Sequence, residues 1–138
     1  MKSLLVDKWQ ESFQIEARQL AAYLASVGGG HPVHSSQDLA MRAGFKDTPL
    51  PGVQVVGAAL AALTRQMATL PIKLLDVKSS FFHPVLPGDE IHLTWLLDPD
   101  STKETERYVE GQYTAVCELG DAVKAATVHV RLRVVREG

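Results

Sequence analysis

The run from Gly52 to Leu70 constrains this chain most, because its opening turns, Val53-Gln54-Val55-Val56-Gly57-Ala58-Ala59-Leu60-Ala61-Ala62-Leu63, are apolar on nearly every side. A helix without a polar face has to be buried on all of them, so the remainder of the chain is expected to wrap it. At 1.5 Å per residue such a helix is roughly 28 Å long. Its alanines and Gly57 let neighbouring backbone approach closely, and polarity returns only at Thr64, Arg65 and Gln66, where the helix is expected to reach solvent.

Strands are available to do the wrapping. Ile91, Leu93 and Trp95 alternate with His92 and Thr94, and Val128, Val130, Leu132 and Val134 alternate with His129, Arg131 and Arg133. That period of two marks half-buried strands. They are predicted at Leu74–Phe82, Glu90–Leu97, Arg107–Leu119 and Val123–Val135. Glu118-Leu119-Gly120-Asp121 is expected to turn the last two into a hairpin, and Asp98-Pro99-Asp100-Ser101 marks another reversal. Before the long helix, Trp9 to Ile15 reads as a short strand and Glu16 to Val27 as a helix stopped by Gly28 to Gly30. A brief helix capped by Ser35 or Ser36 follows, running through Leu39, Ala40 and Ala43 to Gly44, and then an irregular stretch holding Pro49 and Pro51. One buried helix against an antiparallel sheet is an α+β layer architecture. A single sheet of about five strands leaves edges that need covering, which predicts a dimer or a dimer of dimers.

The 138 residues are read as one domain, 1–138, long enough to bury a core without disulfides or a structural metal. Fourteen Lys and Arg against sixteen Asp and Glu leave a net charge of −2 with no long run of either sign, which argues against a nucleic-acid partner or an anionic membrane surface. No apolar run reaches membrane-spanning length, and Leu4-Leu5-Val6 is too short for a signal-peptide core. A single cysteine, Cys117, suits a reducing compartment, so a soluble cytoplasmic protein is expected.

Chemistry is expected at Gly28-Gly29-Gly30-His31-Pro32-Val33-His34. Three glycines let the backbone turn sharply and admit another group, proline stiffens the segment, and two imidazoles three residues apart invite acid/base work. His31, His34 and Asp38 lie close in sequence, but their spacing is a weak ligand pattern and no metal is predicted.

With the element order in place, three motifs resemble the MaoC-like hydratase/dehydratase family of hotdog-fold proteins, the group that includes the (R)-specific enoyl-CoA hydratases. Gly28, Pro32, His34 and Ala40 match that family's GDxNPxH motif and the small residue that follows six positions later. Arg42-Ala43-Gly44-Phe45 and then Pro51-Gly52 match the approach to its central helix, where the family usually has His-Gly. Phe82-His83-Pro84-Val85-Leu86-Pro87-Gly88-Asp89 looks like its PVxPGD turn. The resemblance runs from about Trp9 to Val134 and implies a hotdog fold, an antiparallel sheet wrapped around the helix at Gly52 to Leu70.

It further implies an acyl-thioester substrate, on coenzyme A or acyl carrier protein, and reversible hydration of a trans-2-enoyl group to a 3-hydroxyacyl group without a cofactor. The family's Asp and His act together on one water, but here Gly29 stands at the Asp position and His31 at the Asn position. Only His34 of the usual pair carries over, with His31, Asp38 or Asp47 as candidates to assist it. Gly29, Gly30, Gly52 and Val53 are expected at the substrate, the last two offering amides at the positive end of the helix dipole to the thioester oxygen. Val53, Val56 and Leu60 are candidates to line an acyl tunnel. His83, His92 and His129 are read as surface or strand-edge residues, and Asp89 as a turn-former. Two rival readings remain: a catalytically impaired acyl-thioester-binding subunit, because the motif carboxylate is absent, and a hotdog thioesterase, in which water attacks the carbonyl.

Overall fold

The computed structural model describes residues 4–136. The chain begins with strand β1 (Lys8–Phe13), whose burial alternates residue by residue. Helix α1 (Ala17–Ser26) follows, opened by a capping box in which the Glu16 N–H donates to Gln19 Oε1 at 2.7 Å. At its other end the Gly29 N–H donates to the Leu24 carbonyl at 2.7 Å, and Gly28, Gly29 and Gly30 all take positive φ, so glycine is what allows the chain to leave the helix in this direction. A single 3-10 turn (Pro32–His34) leads to α2 (Gln37–Arg42), where Ser36 Oγ accepts from the Leu39 N–H.

Helix α3 (Gly52–Arg65) is the long helix, and it ends at Arg65 rather than at Leu70. The residues from Gln66 to Leu70 continue as turns, with the Leu70 N–H donating to the Met67 carbonyl. Strands β2 (Ile72–Phe81), β3 (Ile91–Leu97), β4 (Lys103–Glu104), β5 (Tyr108–Leu119) and β6 (Val123–Val135) complete the chain. The sheet has six strands in the order β1-β3-β5-β6-β2, with the two-residue β4 pairing β5 at the side, and every pairing is antiparallel. β4 is too short to leave a period in the sequence, which is why the alternation accounts for five strands and not the sixth.

The sheet packs one face against α3. Ile91, Leu93 and Trp95 from β3 and Val128, Val130, Leu132 and Val134 from β6 are buried, as their alternation predicts. Trp95 is fully buried, donates its indole N–H to the Ala59 carbonyl of α3 at 2.9 Å, and meets the Tyr113 ring edge-on. This bond satisfies a donor that would otherwise be stranded in the core.

The helix is covered on one side only. Val55, Val56, Ala59, Ala62 and Leu63 are buried, whereas Val53 is 68% exposed and Gly57 has no neighbour within 4 Å of where a Cβ would stand. Burial all round therefore does not hold within one chain: an open sheet has one face to offer, and it reaches only one side of a helix. The uncovered apolar surface continues onto the free edge strand β2, where Leu74, Val77 and Phe81 are exposed.

Candidate active site

The glycine loop places its two histidines differently. His31 is exposed and caps the 3-10 turn, its Nδ1 accepting from the Val33 N–H at 3.0 Å. His34, half-buried at the end of that turn, has its Nδ1 2.8 Å from the Pro49 carbonyl oxygen. A carbonyl only accepts, so in the neutral ring Nδ1 carries the hydrogen and Nε2 is left with the lone pair. A side chain from the loop is thereby fixed to the irregular segment that enters α3.

A cavity of about 390 Å³ opens beside His34. Its walls come from four stretches far apart in sequence: the loop with Val33 and His34, the α3 entry with Pro49, Leu50, Gly52 and Val53, the residues after β2, and Ala125 and Ala126 of β6. The two alanines make the room, since the core-facing positions further along β6 carry valine and leucine. Main-chain bonds hold the walls together. The Leu50 N–H donates to the Val85 carbonyl at 2.8 Å, and the Phe82 N–H donates to the Ala125 carbonyl at 2.8 Å. Most of the lining is hydrocarbon, which suits an acyl chain better than a polar metabolite.

Two features of the lining escape sequence reasoning. His83 is exposed, as its place at a strand end predicts, but it also borders the same cavity as His34. The Phe81 ring lies over the α-carbon of Gly52, where a Cβ would come within 2.5 Å of it, so glycine here makes room for an aromatic ring of the chain itself. Small residues opposite aromatic ones at a strand end are the only trace of either in the sequence.

Among the other expected site residues, Val53 lines the cavity, while Gly29, Gly30, His31 and Val56 are not part of its wall. Gly29 and Gly30 shape the exposed exit from α1, and Val56 faces the core. Helical geometry leaves the Gly52 and Val53 amides at the head of α3 without an acceptor four residues back. Among the described residues no carboxylate lines the cavity: Asp38 sits 3.8 Å from Arg42 on the surface, and Asp47 Oδ1 accepts from the Thr48 N–H. Asp89 Oδ2 accepts from the Leu86 N–H at 2.9 Å and closes the Pro-Gly-Asp turn. No group of three or more His, Cys, Asp or Glu among the described residues is arranged to hold a metal ion.

A long helix held against an antiparallel sheet, with an anchored imidazole in an apolar cleft at the helix head, defines a hotdog-fold protein. The family described as MaoC like domain matches residues 8–118, and the chain belongs to that family. Solved structures share the fold. The (R)-hydratase from A. caviae involved in PHA biosynthesis superposes with a TM-score of 0.77 at 20% identity, over 93% of this chain and 94% of that one. The C-terminally truncated HadBC (3R-hydroxyacyl-ACP dehydratase) complex from Mycobacterium tuberculosis gives 0.80 at 18% identity, over 96% and 98%. The MaoC-like dehydratase from Rhodospirillum rubrum gives 0.79 at 15%, over 97% and 94%. No curated protein matches the sequence.

Proposed function

We propose that this chain, as a single hotdog domain, hydrates trans-2-enoyl thioesters and dehydrates 3-hydroxyacyl thioesters, with His34 as an acid/base group. The observation that carries the proposal is the anchored imidazole: Nδ1 is committed to Pro49, and Nε2 is the nitrogen available in an apolar cavity of about 390 Å³. Hydration of a conjugated thioester needs a group to exchange a proton with water and donors for the carbonyl oxygen where negative charge develops. Nε2 of His34 fills the first need. The Gly52 and Val53 amides, at the positive end of α3, fill the second. Family membership and the hydratase and dehydratase activities named for its structural neighbours support the same reaction class.

The thioester is carried by coenzyme A or by acyl carrier protein, and the protein works in the cytoplasm as a homodimer or dimer of dimers. No helix among the described residues is long and apolar enough to cross a membrane. A second copy is the natural cover for the free β2 edge and for Val53. The direct test is loss of enone absorbance when crotonyl-CoA and longer trans-2-enoyl-CoA substrates are added. Absence of turnover at every chain length overturns the reading.

One observation favours a second reading. Gly29 provides no carboxylate, and an acid/base pair lacking a member loses orders of magnitude in rate when nothing compensates, so an acyl-thioester-binding subunit that accompanies an active relative fits that position. Native mass measurement distinguishes a self-assembled dimer from such a mixed complex.

A further inference from the structure

We infer that His83 is the second proton-transfer group of this site, supplying from the loop after β2 what Gly29 does not; the inference rests on the hydratase reading above. Among the described residues that line the cavity, His34 and His83 carry the only polar side chains. Each is held in the same way. His83 Nδ1 lies 2.9 Å from the Pro84 carbonyl oxygen, as His34 Nδ1 lies 2.8 Å from that of Pro49, so both rings present Nε2 as the free nitrogen.

The two anchors belong to one bonded unit. Pro49 precedes Leu50, whose N–H donates to the Val85 carbonyl, and Val85 follows Pro84. On the far side, the N–H groups of Phe82 and His83 both donate to the Ala125 carbonyl, at 2.8 and 3.3 Å. Lys124 Nζ stands 5.6 Å over the Phe82 ring and clamps the same corner. His83 is exposed, but its ring and its N–H are both bonded, so it is a fixed part of the cavity wall. It also borders a wider opening of about 770 Å³ that shares Phe45, His83 and Pro84 with the first cavity.

The chemistry divides the roles. One imidazole takes the proton of water and the other gives one to the α-carbon; His34, held at the head of α3, is assigned the first role, and His83, which also borders the wider opening, the second. In hydration the water oxygen bonds to the β-carbon as its proton passes to Nε2 of His34. The π pair moves to the α-carbon, which takes the proton from Nε2 of the protonated His83. One water is added and the two imidazoles end with their protonation exchanged; His34 then gives its extra proton to solvent and His83 takes one from solvent, which resets both. Dehydration runs the same steps backwards.

The experiment compares wild type, His34→Asn, His83→Ala and His83→Gln on enoyl-CoA hydration, with circular dichroism to establish folding. If His83 transfers a proton, both of its variants lose about 100-fold or more in kcat with KM little changed, and added imidazole restores His83→Ala. If His83 variants keep kcat within about fivefold of wild type while His34→Asn is inactive, the assignment of His83 is overturned and the hydratase reading stands. If kcat falls without imidazole rescue and the melting temperature falls with it, His83 is structural and the inference is likewise overturned. Wild type inert on every enoyl-CoA overturns the hydratase reading and the assignment together.

Discussion

His34 Nδ1 donates to the Pro49 carbonyl oxygen across 2.8 Å, joining the glycine loop to the entry of α3. One ring nitrogen is thus tied to the main chain while the other carries the proton transfer proposed above, and the two duties can be separated. Asparagine can keep an N–H near Pro49 but has no basic nitrogen. His34→Asn is expected to lose about 100- to 10,000-fold in kcat for hydration while its melting temperature stays close to wild type. Paired kinetic and thermal measurements check this.

The β5–β6 hairpin turns through Asp121 and Ala122, at φ 62° and 58°. Alanine pays a steric cost in the left-handed region that glycine does not, of about 1 kcal/mol. Ala122→Gly is therefore expected to raise stability by roughly that amount, and Ala122→Val to lower it. Thermal or urea melts decide.

Glu110 is a buried carboxylate on the outer side of the sheet, with Arg133 Nη2 at 2.9 Å and Arg131 Nη1 at 3.6 Å from its Oε1. The hydrogen bond from Arg133 holds its carboxyl below the ordinary value of 4.5, burial works against it, and the charge of Arg131 helps. A carboxyl lowered in the folded state stabilises the fold fully above its unfolded value. That contribution fades as pH falls below about 4.5. Glu110→Gln is expected to be less stable than wild type at pH 7, by about 1 to 3 kcal/mol, with the difference shrinking toward pH 3. Urea melts across this range test the sign.

Cys117 is fully buried in β5, and burial pushes its thiol up to about 11. Thiolate is the reactive form. The native protein is expected to react with a chromogenic disulfide at pH 8 far more slowly than the urea-unfolded chain. Equal rates in the two states would contradict the packing.

Much of the sheet was readable because each strand carries its own instructions. In β3 and β6 the alternation of side chains states which face is buried, and Gly88 and Asp89 state where a turn falls. The length of α3 was less readable, since the sequence from Gln66 to Leu70 stays compatible with a helix and only tertiary context ends it. Coverage of α3 was not readable at all. Apolarity at Val53 and Gly57 announces that something must pack there, but not whether it belongs to the same chain. At the site, the glycine loop drew attention to His34, whereas His83 lies among residues that read as the end of a strand. What unites them is a set of main-chain bonds between Leu50 and Val85 and between Phe82 and Ala125, and no local pattern encodes such bonds.

Strand order also sets a timetable for synthesis. β6 lies between β5 and β2, pairing Ile72 with Val134 and Tyr108 with Val135. On the ribosome, β2 is made long before the strand that will hold it, and until Val123–Val135 emerges it has no neighbour in the sheet. The cavity shares that delay, because Ala125 and Ala126 form part of its wall. A nascent chain stalled before Val123 can pair β1, β3 and β5, but the corner that fixes His83 comes into being only as the last strand arrives.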